Sequence, residues 1–229
     1  MLLLDLLLIL CLIALFIIIP FLQYQQSNYR KETNFSFLKV YLDKGLLGEY
    51  FTYKILQKIP GNHKTVVNAY LPNKRGGTTE IDLVFIHETG VYVIESKNYS
   101  GWIFGKENDR NWCQMLPNKP KSYFYNPVKQ NQTHINALKK EFPSIIDKNI
   151  ISLIVFSNRC QLKKVSVDIE NVRIIKRDQL GGLLKRFNAK SPKILNHESI
   201  CNIYSKLKEF TNVSQEDKKK HIEHVSQYK

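Results

Sequence analysis

Two otherwise apolar runs carry ionisable side chains: Asp82 in EIDLVFI, and Glu95 with Lys97 in VYVIESK. Charges in such runs are costly unless they are paired or metal-bound. Strand residues two apart share a face, so Glu95 and Lys97 project together, and the short Glu88-Thr89-Gly90 connection can bring Asp82 alongside. Two converging carboxylates make a hard-oxygen site suited to Mg²⁺ or Mn²⁺. A neighbouring ammonium can orient or help deprotonate a water and offset charge developing in a transition state. That combination suits phosphodiester hydrolysis. Glu49, off the apolar stripe of the preceding helical segment, can add a carboxylate directly or through water. The local chemistry is equally that of a solvated sheet end with a surface ion pair. A second Glu-x-Lys triplet, Glu216-Asp217-Lys218, stands in a charged tail, so the triplet alone decides nothing.

The elements that must position these groups are readable from periodicity. Leu47, Phe51, Ile55 and Ile59 recur every four residues, the stripe of an amphipathic helix over Lys44 to Ile59, closed by Pro60-Gly61. Thr65 to Leu71, Glu80 to His87 and Val91 to Lys97 read as strands, with a turn between Pro72 and Gly77. Gly101 to Gly105 and Asn111 to Leu116 form a shorter hairpin, followed by an irregular Pro117 to Tyr125. Asn126-Pro127 supplies an N-cap and an N1 proline for a helix to Glu141. Ile150 to Ser157 and Val172 to Ile175 read as strands, Asp178 to Phe187 and Lys193 to Phe210 as helices. This alternation predicts an α/β fold with a mixed sheet.

The chain has 229 residues and a formal net charge of +14, none of it from the first 36 residues, where Asp5 and Glu32 cancel Arg30 and Lys31. A basic folded part attracts polyanions, so nucleic acid or an anionic membrane face is the natural partner. Cys11, Cys113, Cys160 and Cys201 lie far apart with no C-x-x-C pair, which suggests neither a zinc knuckle nor a small disulfide scaffold. His63, His87, His134 and His197 show no metal-ligand spacing, and His221 with His224 read as part of a solvated tail. No P-loop, nucleophile elbow or dinucleotide glycine fingerprint appears. Leu2 to Leu22 is apolar apart from Asp5, long enough for a membrane-spanning helix. No basic residue precedes it, and Arg30 with Lys31 follow it. A single pass is therefore expected, with the amino terminus outside and the following domain in the cytoplasm. Cytoplasmic placement also keeps a glycan off the Asn98-Tyr-Ser sequon beside Lys97.

The sequence resembles the NERD (nuclease-related) domain family of the PD-(D/E)xK, restriction-endonuclease-like superfamily. The residues that carry the likeness are GLLGE at Gly45 to Glu49, NAYLPNKRGGTTEIDLVFIHETGVYVIESKNYSGWIFG at Asn68 to Gly105, Trp112-x-Gln114, and NPVKQN at Asn126 to Asn131. The resemblance implies a restriction-endonuclease-like mixed sheet flanked by helices, here behind an N-terminal transmembrane helix. It maps catalytic positions onto Glu49, Asp82, Glu95 and Lys97 with Gln130 in support, and metal ligands onto Asp82 and Glu95. Ser96 departs from the aliphatic residue usual between Glu and Lys.

The expected divisions are an anchor at 1–22, a tether at 23–40, the nuclease-like core at 41–157, an α/β extension at 158–211 and a charged tail at 212–229. The expected activity is a metal-dependent nuclease using Mg²⁺ or Mn²⁺ on DNA, less readily on RNA. Trp112 and Gln114 stand as candidate strand contacts, although a buried Trp with a satisfied Gln fits them as well. A homodimer would present two sites to a duplex. The competing readings are a non-catalytic nucleic-acid- or protein-binding module of the same fold, and a lipid-bound adaptor.

Overall fold

The computed structural model describes residues 2–73, 77–143 and 149–213, with the side chains of residues 2–4 and 6–13 outside that description. In chain order the elements are α1 (Leu2–Gln25), α2 (Asn28–Thr33), α3 (Phe37–Leu42), α4 (Lys44–Leu56), β1 (His63–Pro72), β2 (Thr78–His87), β3 (Gly90–Lys97), β4 (Gly101–Lys106), β5 (Asn111–Met115), β6 (Ser122–Tyr125), α5 (Pro127–Glu141), β7 (Ile150–Phe156), β8 (Cys160–Ser166), β9 (Val172–Lys176), α6 (Arg177–Lys190) and α7 (His197–Glu209).

Nine strands form two mixed sheets among the described residues. The first runs β1-β2-β3-β7-β9, antiparallel across β1, β2 and β3 and parallel from β3 through β7 to β9. The second runs β6-β5-β4-β8, antiparallel except for the parallel β4–β8 pair. The first sheet is covered on both faces. Tyr53 and Leu56 of α4 and Leu180 and Leu184 of α6 meet Phe85, Tyr92, Ile94 and Leu153 on one side. Ile135 and Leu138 of α5 and Ile200 and Leu207 of α7 meet Val66, Val84, Val91 and Val93 on the other. Burial on both faces is why these strands read as near-continuous apolar runs rather than alternating ones.

Two local features set the site. Helix α5 starts sharply because the Asn126 side chain accepts from Val128 N at 2.9 Å and Pro127 fills the first turn. Strands β1 and β2 change face together. Val67 and Leu83 lie in the α4-side core but Ala69 and Ile81 in the α5-side core, and the Asn68–Asp82 pair between them is missing from the ladder. Asn68 adopts a φ of 53°, a left-handed conformation that asparagine tolerates better than most residues.

The structure corrects several expectations. The segment read as a tether, 23–40, is folded onto the core. It is the end of α1, then α2 and α3, with Tyr24, Tyr29 and Val40 fully buried. Its aromatic rings dock on α4, with centroids of Tyr24 and Tyr29 at 5.3 and 5.4 Å from Tyr50. The packed face of α4 is also not the expected stripe. Gly48, Glu49, Tyr50, Thr52, Tyr53 and Leu56 are buried while Phe51 is exposed, because those tyrosines recruit the N-terminal segment. β6 lies within the stretch read as irregular, where it pairs back on β5, and β8 was not anticipated, since it is held by β4, a partner distant in sequence. Among the described residues no helix is long and apolar enough to cross a membrane. The expected anchor falls largely on side chains outside the described residues, and so does the tail from residue 214.

Candidate active site

The β2–β3 ladder ends at Leu83↔Ile94, which leaves Asp82 and Glu95 next in register at the sheet end. Freed from the ladder, Asp82 accepts from Ser96 N through Oδ2 at 2.8 Å. Glu95 is 1% exposed; its Oε1 meets Lys97 Nζ at 2.7 Å and its Oε2 meets His134 Nε2 at 2.9 Å. Lys97 Nζ also donates to Gln130 Oε1 at 3.0 Å. His134 is fixed from behind by Thr79 Oγ1, 2.8 Å from its Nδ1. Asn131, one position after Gln130, donates to Val93 O and Ser152 Oγ and so pins α5 to β3 and β7.

Glu49 reaches the cluster from α4. It is 8% exposed, and its Oε2 accepts from the Tyr29 hydroxyl at 3.4 Å. Burial, with Glu80 and Glu95 adding repulsion, pushes its carboxyl up to about 8. Burial, Glu95 and Glu49 likewise hold the Asp82 carboxyl well above the ordinary carboxylate range, against Lys97 and the Ser96 amide. Burial alone would raise Glu95, but the Lys97 ammonium and the His134 hydrogen bond outweigh it and set it below its usual value. Burial would lower Lys97; Glu95 and Asp82 outweigh it, and its ammonium is held above the usual lysine range.

The donor set fits a hard divalent cation. Mutually repelling buried carboxyls are what such an ion relieves, and a carboxylate oxygen already hydrogen-bonded keeps lone-pair capacity for one. Asn68 Oδ1, at the strand kink opposite Asp82, is buried with no hydrogen-bond partner among the described residues. No three side chains of His, Cys, Asp or Glu among those residues converge closely enough to hold an ion by themselves. Any ion would therefore draw on Asp82 and Glu95 with amide, water or phosphate oxygens.

Glu49, Asp82, Glu95, Lys97 and Gln130 thus meet at one sheet end, while Trp112 and Gln114 do not. Trp112 is fully buried, donates to Lys106 O at 3.0 Å and stacks on Phe156. Gln114 donates to Ser100 O at 2.7 Å. These are the contacts of a buried Trp with a satisfied Gln, the second of the two readings that the sequence allowed. Ser96 turns to the α4 side, where its hydroxyl lies 3.5 Å from Thr52 Oγ1. His134 and Glu80 were missed. His134 carries no spacing signal, and its one pointer was its place four residues after Gln130 on the same helix. Glu80 accepts from Asn68 and Tyr70, a cluster visible only once β1 and β2 are paired.

Comparison with known proteins comes to the same region. Residues 44–157 match the family model described as nuclease-related domain. An uncharacterized protein of Bacillus anthracis is 31% identical over 185 residues, covering 80% of this chain and 84% of its own length. No solved structure matches the chain.

Proposed function

The chain belongs to the nuclease-related domain family, and from that premise we propose that it is a metal-dependent nuclease acting on DNA in preference to RNA. The observation that carries this reading is the meeting of Asp82, Glu95 and Lys97 at one sheet end, with the 2.7 Å Glu95–Lys97 pair at its centre. The order α4, β1, β2, β3, α5, β7 supports a restriction-endonuclease-like core around it.

Asp82 and Glu95 would hold Mg²⁺ or Mn²⁺, which when bound polarises a phosphate and acidifies a water. Lys97 places an ammonium where charge builds on the phosphoryl oxygens, and Gln130 holds that ammonium in position. His134 and Thr79 fix the orientation of Glu95. Glu49, its carboxyl pushed up to about 8 by burial and the neighbouring acids, would ionise more readily beside a bound cation and could then add a further carboxylate.

The leader Leu2 to Leu22 is taken as a single-pass anchor with the catalytic part on the cytoplasmic side. Support comes from its apolar sequence and from the exposure of Phe16, Ile17 and Leu22. Retention of the chain in membranes after alkaline carbonate extraction tests this, and release into the supernatant refutes it.

Cleavage of plasmid and single-stranded DNA by the full chain with Mg²⁺ or Mn²⁺ tests the activity. Asp82→Ala and Lys97→Ala should each lower the rate about a hundredfold or more. Equal cutting by all three proteins would refute the assignment. Tight, salt-dependent binding with no cutting would instead favour a binding module of the same fold.

A further inference from the structure

The second sheet has one packed face and one bare face. Ile103, Trp112, Leu162 and Val165 turn inward against Ile154 and Phe156. The register places the opposite set in rows across the strands. Lys164, Phe104, Cys113 and Tyr123 follow one another over β8, β4, β5 and β6, and Gln161, Trp102 and Met115 form the neighbouring row. Trp102 is 48% exposed, Tyr123 66% and Tyr125 41%. Large aromatics left in water on a sheet face are unusual unless something stacks on them.

The surroundings state what that something is. Lys163 Nζ lies 5.2 Å from the Trp102 ring centroid, and Lys106, Lys121 and Lys164 are exposed around the same face. The nearby acids lie at one end, where Glu107 accepts from Asp168 N, Asp109 accepts from Lys106 N, and Asp168 and Glu170 are exposed after β8. Aromatic rings interleaved with lysines bind single strands, since every base offers a stacking face and every linkage a negative charge. Duplex bases, already stacked on each other, have no such face to offer. Trp102 and Phe104, two residues apart on β4, stand about 7 Å apart, roughly twice the base rise of a nucleic acid strand. Three residues, 98–100, separate Lys97 at the end of β3 from Gly101 at the start of β4, so the sheet that carries this face starts close in the chain to the acid cluster.

We propose that the outer face of the second sheet is a platform for single-stranded nucleic acid, with bases on Trp102, Tyr123 and Tyr125 and phosphates on Lys163 and Lys164. It presents one strand to the neighbouring acids. Binding is independent of those acids; delivery for cleavage rests on the hydrolytic reading of them.

The test uses the full chain in EDTA, where cutting is off. The probes are oligothymidylate and oligouridylate of about 20 nucleotides, longer than the reach of a single strand-binding fold, and a duplex of equal length. The chain has two tryptophans and Trp112 is fully buried, so fluorescence quenching by a strand reports on Trp102. The single strands should bind more tightly than the duplex and quench. Trp102→Phe should lose the quenching but keep affinity. Trp102→Ala and Tyr123→Ala should each weaken binding about tenfold. Lys163→Gln with Lys164→Gln should reduce the slope of log affinity against log salt by about 0.7 per lost contact. An unchanged thermal midpoint certifies each variant as folded. Binding without quenching, preference for the duplex, or wild-type affinity in the folded alanine variants would overturn the platform. Binding in EDTA with no cutting on adding Mn²⁺ would remove the hydrolytic reading and leave the platform. Cutting without quenching would do the reverse.

Discussion

Glu49 is buried against a phenol and two other acids, and its carboxyl is pushed from an ordinary value near 4.5 up to about 8. Between those values the folded, metal-free chain keeps a proton that the unfolded chain has released. Stability is therefore full below about pH 4.5 and falls as pH rises through 8, by at most about 1.4 kcal/mol per unit. Asp82 acts in the same direction; Glu95, held below its usual value, acts oppositely and only in acid. Glu49→Gln should accordingly unfold at a higher temperature than wild type at pH 8 in EDTA, with most of the advantage lost at pH 5. An advantage that does not change with pH would place the cause outside that carboxyl. His134 invites a second measurement. His134→Phe leaves Glu95 Oε2 buried without its donor, which should cost about 1–3 kcal/mol in denaturant unfolding. Gln at the same position should recover part of it.

Helix α4 approaches the end of β3 because residue 48 is glycine. A Cβ there would stand 2.8 Å from Asn98 Cβ and 3.3 Å from Arg177 Nη2. The buried Arg177 side chain donates to Thr52 and Asn98 and ties α6 to that corner. Alanine would favour the helix by about 1 kcal/mol, but the clash is with a Cβ beside the backbone and has little room to relax. Gly48→Ala should lower the thermal midpoint and slow cleavage by moving Glu49 away from Glu95. A raised midpoint would mean that α4 shifts without cost. In the second sheet the Trp112 ring fills the space over Gly105 and stacks on Phe156. Trp112→Ala should destabilise by about 3–5 kcal/mol, and an unfolding midpoint equal to wild type would contradict its structural role.

The excess positive charge and the acid cluster make opposite demands on one chain. The net charge of +14 draws in polyanions, whereas the buried carboxyls of Glu49, Asp82 and Glu95 cannot all ionise together without a cation beside them. Mg²⁺ or Mn²⁺ at about a hundred times its dissociation constant should stabilise by about 2.7 kcal/mol, raising the thermal midpoint by about 5 °C or more. Asp82→Asn should abolish that rise. A midpoint indifferent to both ions in the wild type would leave the acids without a metal to hold.

Local pattern was enough for part of this protein. The acid-bearing strands, the capped helix carrying Gln130 and the family likeness were legible because each depends on neighbours in the chain: an apolar run, an Asn-Pro start, a Glu-x-Lys spacing on one strand face. The burial of Glu49 was not, because the packed face of α4 is chosen by Tyr24 and Tyr29, which arrive from a segment that reads as a linker. His134 gives no signal until α5 lies across β3, and Glu80 none until β1 pairs with β2. Trp112 and Trp102 look equally exposed as letters in a string; only cross-strand register sends the first inward and leaves the second in water. Proton affinities and exposed faces are sums over contacts distant in sequence, so they exist only once the sheets have closed.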